Sequence, residues 1–407
     1  QSITLSCNNS QIVATTLDAS QDTSLSVTNK RTSSPYSSGS YAGIVANKTS
    51  STFYVPLASR LLASASGQLS NSELEIQNAG TAPVNVNIQM IGAAGVWGNY
   101  NKPTVAIPGS GSFNYNLSLE NAANLPNGWY GSAVVSVSGS GKIAVISNFR
   151  TGSNTVQTFN AFNAESLSTN WRIPLFTSRL ANGLSTPIAI QNLSSAMIPI
   201  NGVTLNCTVD PSSSGTNFTK QNTTAIPVNG AYYFNPVTDT SFQGNWYGSC
   251  TLSSGGNNVV SFVQMRYVGA GNTDNAAAYE AMRGNGTDKR AVFPLYQKIL
   301  TDGSATAVTI QNLSSTSAAN VTFVYAGLPN LPANCSASIN ATIPANGSLI
   351  HNHRINSGAN SVTQLGTNCS GSLLVTSDQP IDGFIQLTNV NNPAGDTFMA
   401  HNAITTP

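Results

Sequence analysis

The sequence predicts an all-β chain: three tandem antiparallel β-sandwich repeats, preceded by an N-terminal extended strand segment. One set of landmarks recurs three times in the same order. Between landmarks, apolar and polar residues alternate with the two-residue period of half-buried strands. No stretch holds helical periodicity with caps at both ends.

Val55-Pro56-Leu57, Ile173-Pro174-Leu175 and Phe293-Pro294-Leu295 open the repeats, 118 and 120 residues apart. Ile76-Gln77-Asn78, Ile190-Gln191-Asn192 and Ile310-Gln311-Asn312 come next. Ile107-Pro108, Ile226-Pro227 and Ile343-Pro344 then lead through a glycine into strands holding Tyr115-Asn116, Phe234-Asn235 and His351-Asn352. Finally Trp129-Tyr130-Gly131-Ser132 recurs as Trp246-Tyr247-Gly248-Ser249 and, weakly, as Cys369-Ser370-Gly371-Ser372. These landmarks divide the chain into an N-terminal segment, 1–50, and repeats at 51–168, 169–288 and 289–407.

Within the first repeat, Leu74-Glu75-Ile76-Gln77 and Val84-Asn85-Val86-Asn87-Ile88-Gln89 read as strands, joined by a turn at Ala79-Gly80-Thr81-Ala82-Pro83. Ala133–Val137 and Ile143–Ile146 continue the pattern. Short strands at 8–12-residue spacing suit a seven- or eight-stranded sandwich of Ig-like or jelly-roll type. Trp129 and Trp246, each beside a glycine, are expected to anchor two of the cores. Asn275–Met282 has helix propensity, but its repeat mates look extended, so a strand is expected there.

Only 8% of residues are charged, against about 25% in an ordinary globular protein. Asn (48) and Ser plus Thr (93) take their place, while 40% hydrophobic content is enough to build cores. A net charge of +1 supplies no field to steer nucleic acid or anionic membranes. Few charges also mean weak repulsion between copies, which favours self-association. No apolar run is long enough to span a bilayer. The opening Gln1-Ser2-Ile3-Thr4 reads as a mature secreted chain whose leader has been removed.

Residues 1–50 resemble the end of a repeat. Leu25-Ser26-Val27-Thr28-Asn29-Lys30-Arg31-Thr32 matches Ile146-Ser147-Asn148-Phe149-Arg150-Thr151. Such a fragment cannot bury its apolar face alone. It packs on the first repeat, folds back on the third, or completes a sheet in another molecule. In the last case Cys7, Leu25 and Val27 are the candidate intersubunit residues.

The layout resembles secreted microbial surface filament (pilus-like) subunits, whose sandwich units receive an N-terminal strand from a neighbour. It is similar also to the tandem Ig-like repeats of microbial cell-surface proteins. The resemblance rests on architecture along the whole chain, and three sandwiches replace the single one of simple pilins. It implies head-to-tail strand addition, a contact that propagates as a filament when it does not close.

Of five cysteines, Cys207 and Cys250 fall in the second repeat and Cys335 and Cys369 in the third, before and after the Ile-Pro turn. Disulfides Cys207–Cys250 and Cys335–Cys369 are expected, each worth roughly 3–4 kcal/mol in the chain-entropy picture and fitting an oxidising compartment. Cys7 is left free or bonded between subunits. Fourteen Asn-x-Ser/Thr acceptors occur: Asn8, Asn47, Asn116, Asn192, Asn206, Asn217, Asn222, Asn285, Asn312, Asn320, Asn334, Asn340, Asn346 and Asn368. Random placement gives about 11, so the number permits glycosylation without arguing for it.

Signals for chemistry are weak. His351 and His353 have a metal-binding spacing, but the mates of His351 are Tyr115 and Phe234, so the slot takes a ring. His401 matches Phe162 and Tyr279 in the same way. Glu73 with Glu75, and Asp378 with Asp382, recur in no other repeat. No phosphate loop, calcium loop or nucleophile elbow is present. The expectation is a non-enzymatic structural subunit of an extracellular self-assembling filament or sheath. Its partners are copies of itself and covalent glycans, with no cofactor, metal, nucleic acid or membrane span. The alternative is a monomeric or stalked cell-surface adhesin or carbohydrate-binding protein, stacking sugars on Tyr36, Tyr41, Trp97 or Tyr100.

Overall fold

The computed structural model describes residues 15–21, 36–42, 44, 46–64, 67–152, 155–210, 212–268, 275–389 and 398–406, the segments 15–21 and 36–42 by backbone alone. Cys7, Asn8, Leu25 and Val27 lie outside the described residues, as do the side chains of Tyr36 and Tyr41. Among the described residues, helix is limited to 3-10 turns of three residues, and every pairing between named strands is antiparallel.

In the first sandwich, one sheet runs Thr52–Arg60, Trp129–Val137, Val84–Gly92, Tyr100–Ile107. The other runs Thr155–Asn160, Ile143–Thr151, Leu69–Asn78, Ser112–Asn116. The second sandwich repeats this with Asn170–Ser178, Trp246–Ser253, Thr204–Val209, Phe218–Gln221 facing Ala276–Glu280, Val259–Tyr267, Ile188–Asn192, Ala231–Phe234. In the third, Arg290–Lys298, Cys369–Ser377, Ala319–Gly327, Ala337–Ile343 face Met399–Asn402, Ile381–Asn389, Ser304–Asn312, Ser348–Asn352. A short strand then closes each unit onto its own first strand: Phe162–Asn163, Met282–Arg283 and Ile404–Thr406. Ala276–Glu280 is extended, as the repeat predicts; its alanines are buried, and tertiary packing overrides local helix propensity.

Each repeated landmark answers a backbone requirement. Pro56, Pro174 and Pro294 sit where the first strand's register shifts, between Val55/Ala58, Ile173/Phe176 and Phe293/Tyr296. Proline gives no N–H to a sheet, so the strand bulges there. Asn78, Asn192 and Asn312 are wholly buried. Their Nδ2 groups donate to the carbonyls of Ile107 and Pro108, Ile226 and Pro227, and Ile343 and Pro344 at 2.9–3.2 Å. Two landmarks are thus the halves of one clamp, which satisfies carbonyls that the turn would otherwise bury unpaired. A Cβ on Gly131, Gly248 or Gly371 would lie 2.0–2.1 Å from the carbonyl oxygen of Ile91, Thr208 or Ala326, so only glycine fits.

The indole N–H groups of Trp129 and Trp246 donate to the Gly98 and Thr216 carbonyls, and both rings are fully buried. Cys369 holds the tryptophan's place in the third unit and is bonded to Cys335. Leu61, Arg179 and Ile299 end the three first strands at φ 47°, 43° and 40°. This repeated left-handed turn uses no glycine, so nothing in the sequence signals it.

Thr15–Gln21 pairs with Tyr36–Ala42, from Thr15↔Ala42 to Gln21↔Tyr36. Tyr36–Ala42 leads through the 3-10 turn Ala46–Lys48 into the first sandwich, as Thr155–Asn160 leads through Ala164–Ser166 into the second. The hairpin therefore stands where a unit's last hairpin stands. Its outer strand is described over Thr15–Gln21; residues 25–32, which the sequence match placed there, lie outside the described residues.

Candidate functional site

Among the described residues no three His, Cys, Asp or Glu side chains converge on a point that could hold a metal. His351 and His353 are buried in the third core, where Tyr325 Oη lies 2.8 Å from His351 Nδ1 and 2.9 Å from His353 Nε2. His353 Nδ1 faces Thr306 Oγ1 at 2.7 Å, so both its nitrogens are engaged within the protein. Burial holds His351 down to about 4 and His353 down to about 3, the latter helped by His351, Lys298 and Arg354. Both imidazoles are neutral at ordinary pH. His351 lies opposite Val308 as Tyr115 lies opposite Leu74 and Phe234 opposite Ile188, so the slot does take a ring. His401 lies opposite Ile385, where its mates are Phe159 opposite Ser147 and Tyr279 opposite Val263. The sequence match to Phe162 is therefore corrected to Phe159.

Glu73, Glu75 and Asp378, singled out in the sequence, are each held by other side chains or backbone groups. Glu73 takes an ion pair from Arg150 at 2.9 Å and a hydrogen bond from Asn116, and Glu75 accepts from Asn114. Asp378 accepts from the backbone and side chain of Asn320. Glu280 and Asp382 approach one another where the second and third units meet. Burial, then Asp382, pushes Glu280 up to about 8; burial leads the rise of Asp382 to about 7. Trp97 and Tyr100 are half-buried and pack on the first core.

The unit junctions are the most elaborate polar and aromatic surfaces described. Phe159 of the first unit stacks on Phe262 of the second with centroids 4.2 Å apart, and Tyr279 of the second stacks on Phe384 of the third at 4.0 Å. These are mate positions, so one packing relation is used twice. The proline bulge supplies an acceptor each time: Tyr233 Oη donates toward the Pro56 carbonyl and Ser348 Oγ to the Pro174 carbonyl. Gln264 Nε2 donates to Gln157 Oε1 across the first junction; Asn402 and the Glu280 backbone exchange two bonds across the second. The next unit buries Leu57, Leu175 and Ser132, whereas Leu295 stays half-buried and Ser372 exposed, since no unit among the described residues stacks on that face of the third.

The N-terminal hairpin belongs to this pattern. Tyr36–Ala42 lies against Thr155–Asn160 and Met399–Asn402, touching the first and third units of its own chain. Its outer strand differs from every mate. Ile143–Thr151, Val259–Tyr267 and Ile381–Asn389 each pair on their far side with a central strand, whereas Thr15–Gln21 pairs with Tyr36–Ala42 alone among the described residues. Sequence reasoning likened the N-terminal segment to the end of a unit but did not show where its strands pack.

Cys207–Cys250 and Cys335–Cys369 are bonded as expected. The two bridges are not equivalent: one joins directly opposed residues of neighbouring strands, the other ties a 3-10 turn to the start of a strand. Three of the glycan acceptors fail. Asn192, Asn222 and Asn312 are wholly buried, with Nδ2 donating to backbone carbonyls, which leaves no room for a sugar. Asn47, Asn206, Asn217, Asn285, Asn320, Asn334, Asn340 and Asn368 are exposed, while Asn116 and Asn346 are half-buried. No helix among the described residues is long and apolar enough to cross a membrane. No known protein-family profile matches the chain, and no curated protein matches its sequence.

Proposed function

We propose that this protein is the structural subunit of an extracellular, self-assembling filament or sheath, joined head-to-tail by strand addition at its N-terminal segment. One observation supports the reading above the others: Thr15–Gln21 forms the outer half of a hairpin whose three mates all have a third strand beside them. A strand with a ladder on one side and, among the described residues, none on the other is suited to receive or give a partner along its whole length. Two disulfides and a sparsely charged surface with exposed asparagine acceptors suit a glycan-bearing polymer outside the cell. Catalysis has no part in this reading, and mechanical work would fall to the stacked sandwiches.

Negative-stain electron microscopy of the secreted protein, beside a version lacking residues 1–50, tests it. Filaments from the intact chain alone are expected. Dispersed monomers from both would overturn the reading and turn attention to carbohydrate binding by the monomer.

A further inference from the structure

The three units carry one topologically equivalent lateral edge, and the chain treats the three differently. In the first unit it is Tyr100–Ile107, interrupted by Pro103 and carrying Lys102, with a register shift against its neighbour between Val86 and Ile88. The second has only Phe218–Gln221, four residues including Lys220. Proline, lysine, irregular register and shortness are the devices by which proteins keep sheet edges from pairing with other chains. The third edge, Ala337–Ile343, has none of them. Its seven residues include no charge and no proline, and all seven pair with Ala319–Tyr325 without a shift. Ala337, Ile339 and Ala341 pack on the third core yet remain half-exposed.

Deepening the assembly reading, on which it rests, we infer that Ala337–Ile343 is the strand that receives Thr15–Gln21 of a second copy. Both are seven residues long, and each has one side without a ladder among the described residues. One contact between them satisfies both ladders, and because it joins unlike ends of the chain it propagates wherever the rotation between copies does not close a ring. Self-pairing of Ala337–Ile343 between two copies would close as a dimer and leave Thr15–Gln21 without its ladder. Continuation of the internal stack is the poorer route. The first unit presents Glu75 and the Glu73–Arg150 pair where the later units bury Ala189 or Thr309. Pressing those charges onto Val292, Leu295 and Leu374 would dehydrate them without supplying new partners.

Asp18 and Asn340 are the central residues of the two strands, so they meet when the edges align fully, in either direction. Full-length chains bearing Asp18→Cys, Asn340→Cys or both are to be oxidised under assembly conditions and run on non-reducing gels, with electron microscopy of the unmodified protein alongside. The double variant should give a covalent ladder collapsed by reductant, and each single variant, which retains the native cysteines as a control, should stay monomeric. Covalent dimers from Asn340→Cys alone would overturn the inference in favour of like-with-like pairing. A double variant that stays monomeric while the unmodified chain forms filaments would overturn it too, leaving the filament reading intact. A ladder from chains that never form filaments would uphold the edge contact and sink the filament reading instead.

Discussion

Replacing Asn192 with alanine removes the clamp on the second unit's Ile-Pro turn. Its Nδ2 donates to the carbonyls of Ala196, Ile226 and Pro227, and its Oδ1 accepts from the Ser194 N–H. Two amide hydrogens serve three carbonyls, so the loss amounts to about three bonds, each worth about 1 kcal/mol net and more where a buried group is left unpaired. The cost is therefore about 3 kcal/mol. With an unfolding entropy of about 2.1 cal/mol/K per residue, a unit of this size loses about 12 °C in its melting temperature. Ser194→Ala destroys the same Asn-x-Ser acceptor but spares the clamp, because Ser194 contributes its backbone N–H; a shift of about 2 °C or less is expected. Calorimetry reads both, and hydrogen exchange in Trp246–Ser253 assigns the transition to the second unit. Equal shifts for the two variants would mean that Asn192 acts through a glycan, and the burial reasoning would fail.

Three further outcomes follow from the described groups. The unfolded chain protonates His351 and His353 near 6.5 while the folded protein resists down to about 4 and 3, so the third unit loses stability as pH falls below 6.5. The loss reaches up to about 4 kcal/mol by pH 5, and an acid titration of His353→Phe should show a shallower slope than the parent chain. Glu280 runs the other way: its raised folded-state value favours stability at low pH and erodes it as pH rises toward 8, so Glu280→Gln should help most at alkaline pH in thermal melts. In force spectroscopy, reduction should lengthen the second and third unfolding steps, because the bridges withhold spans of 43 and 34 residues. At about 3.5 Å per residue the gains are roughly 150 and 120 Å. The first unit's step should not change.

Much of the fold was legible because its strongest constraints act on the backbone. Pro56, Gly131 and Asn78 serve a bulge, a close approach and a clamp, and no other residue does the same work, so they recur at every mate. Volume constraints are looser. The slot of Trp129 and Trp246 accepts a disulfide at Cys369, which is why that landmark is weak in the third repeat. Left-handed Ile299 could not be read, since a β-branched residue is the last expected at positive φ. The acceptor Asn192 looked available because a three-letter pattern is blind to burial. The placement of the N-terminal hairpin was hidden for another reason: pairing over long separations is set by which edges remain open, and only the finished sheets show that.

Repetition places each position of this fold in three surroundings, and the differences among mates follow what covers them. Leu57 and Leu175 are buried by the next unit while Leu295, the same residue in the same slot, is not. Glu75 is only half-buried where Ala189 and Thr309 are enclosed. In these cases the residue or its exposure tracks the neighbour, and no separate purpose is needed. The lateral edges do not follow that rule. All three lie at the margin of the same sheet, and no strand among the described residues lies beyond any of them. Even so, a proline and a lysine guard the first, brevity and a lysine guard the second, and the third is full-length, regular and neutral. A chain pressed only to stay dispersed would guard the third edge as it guards the other two.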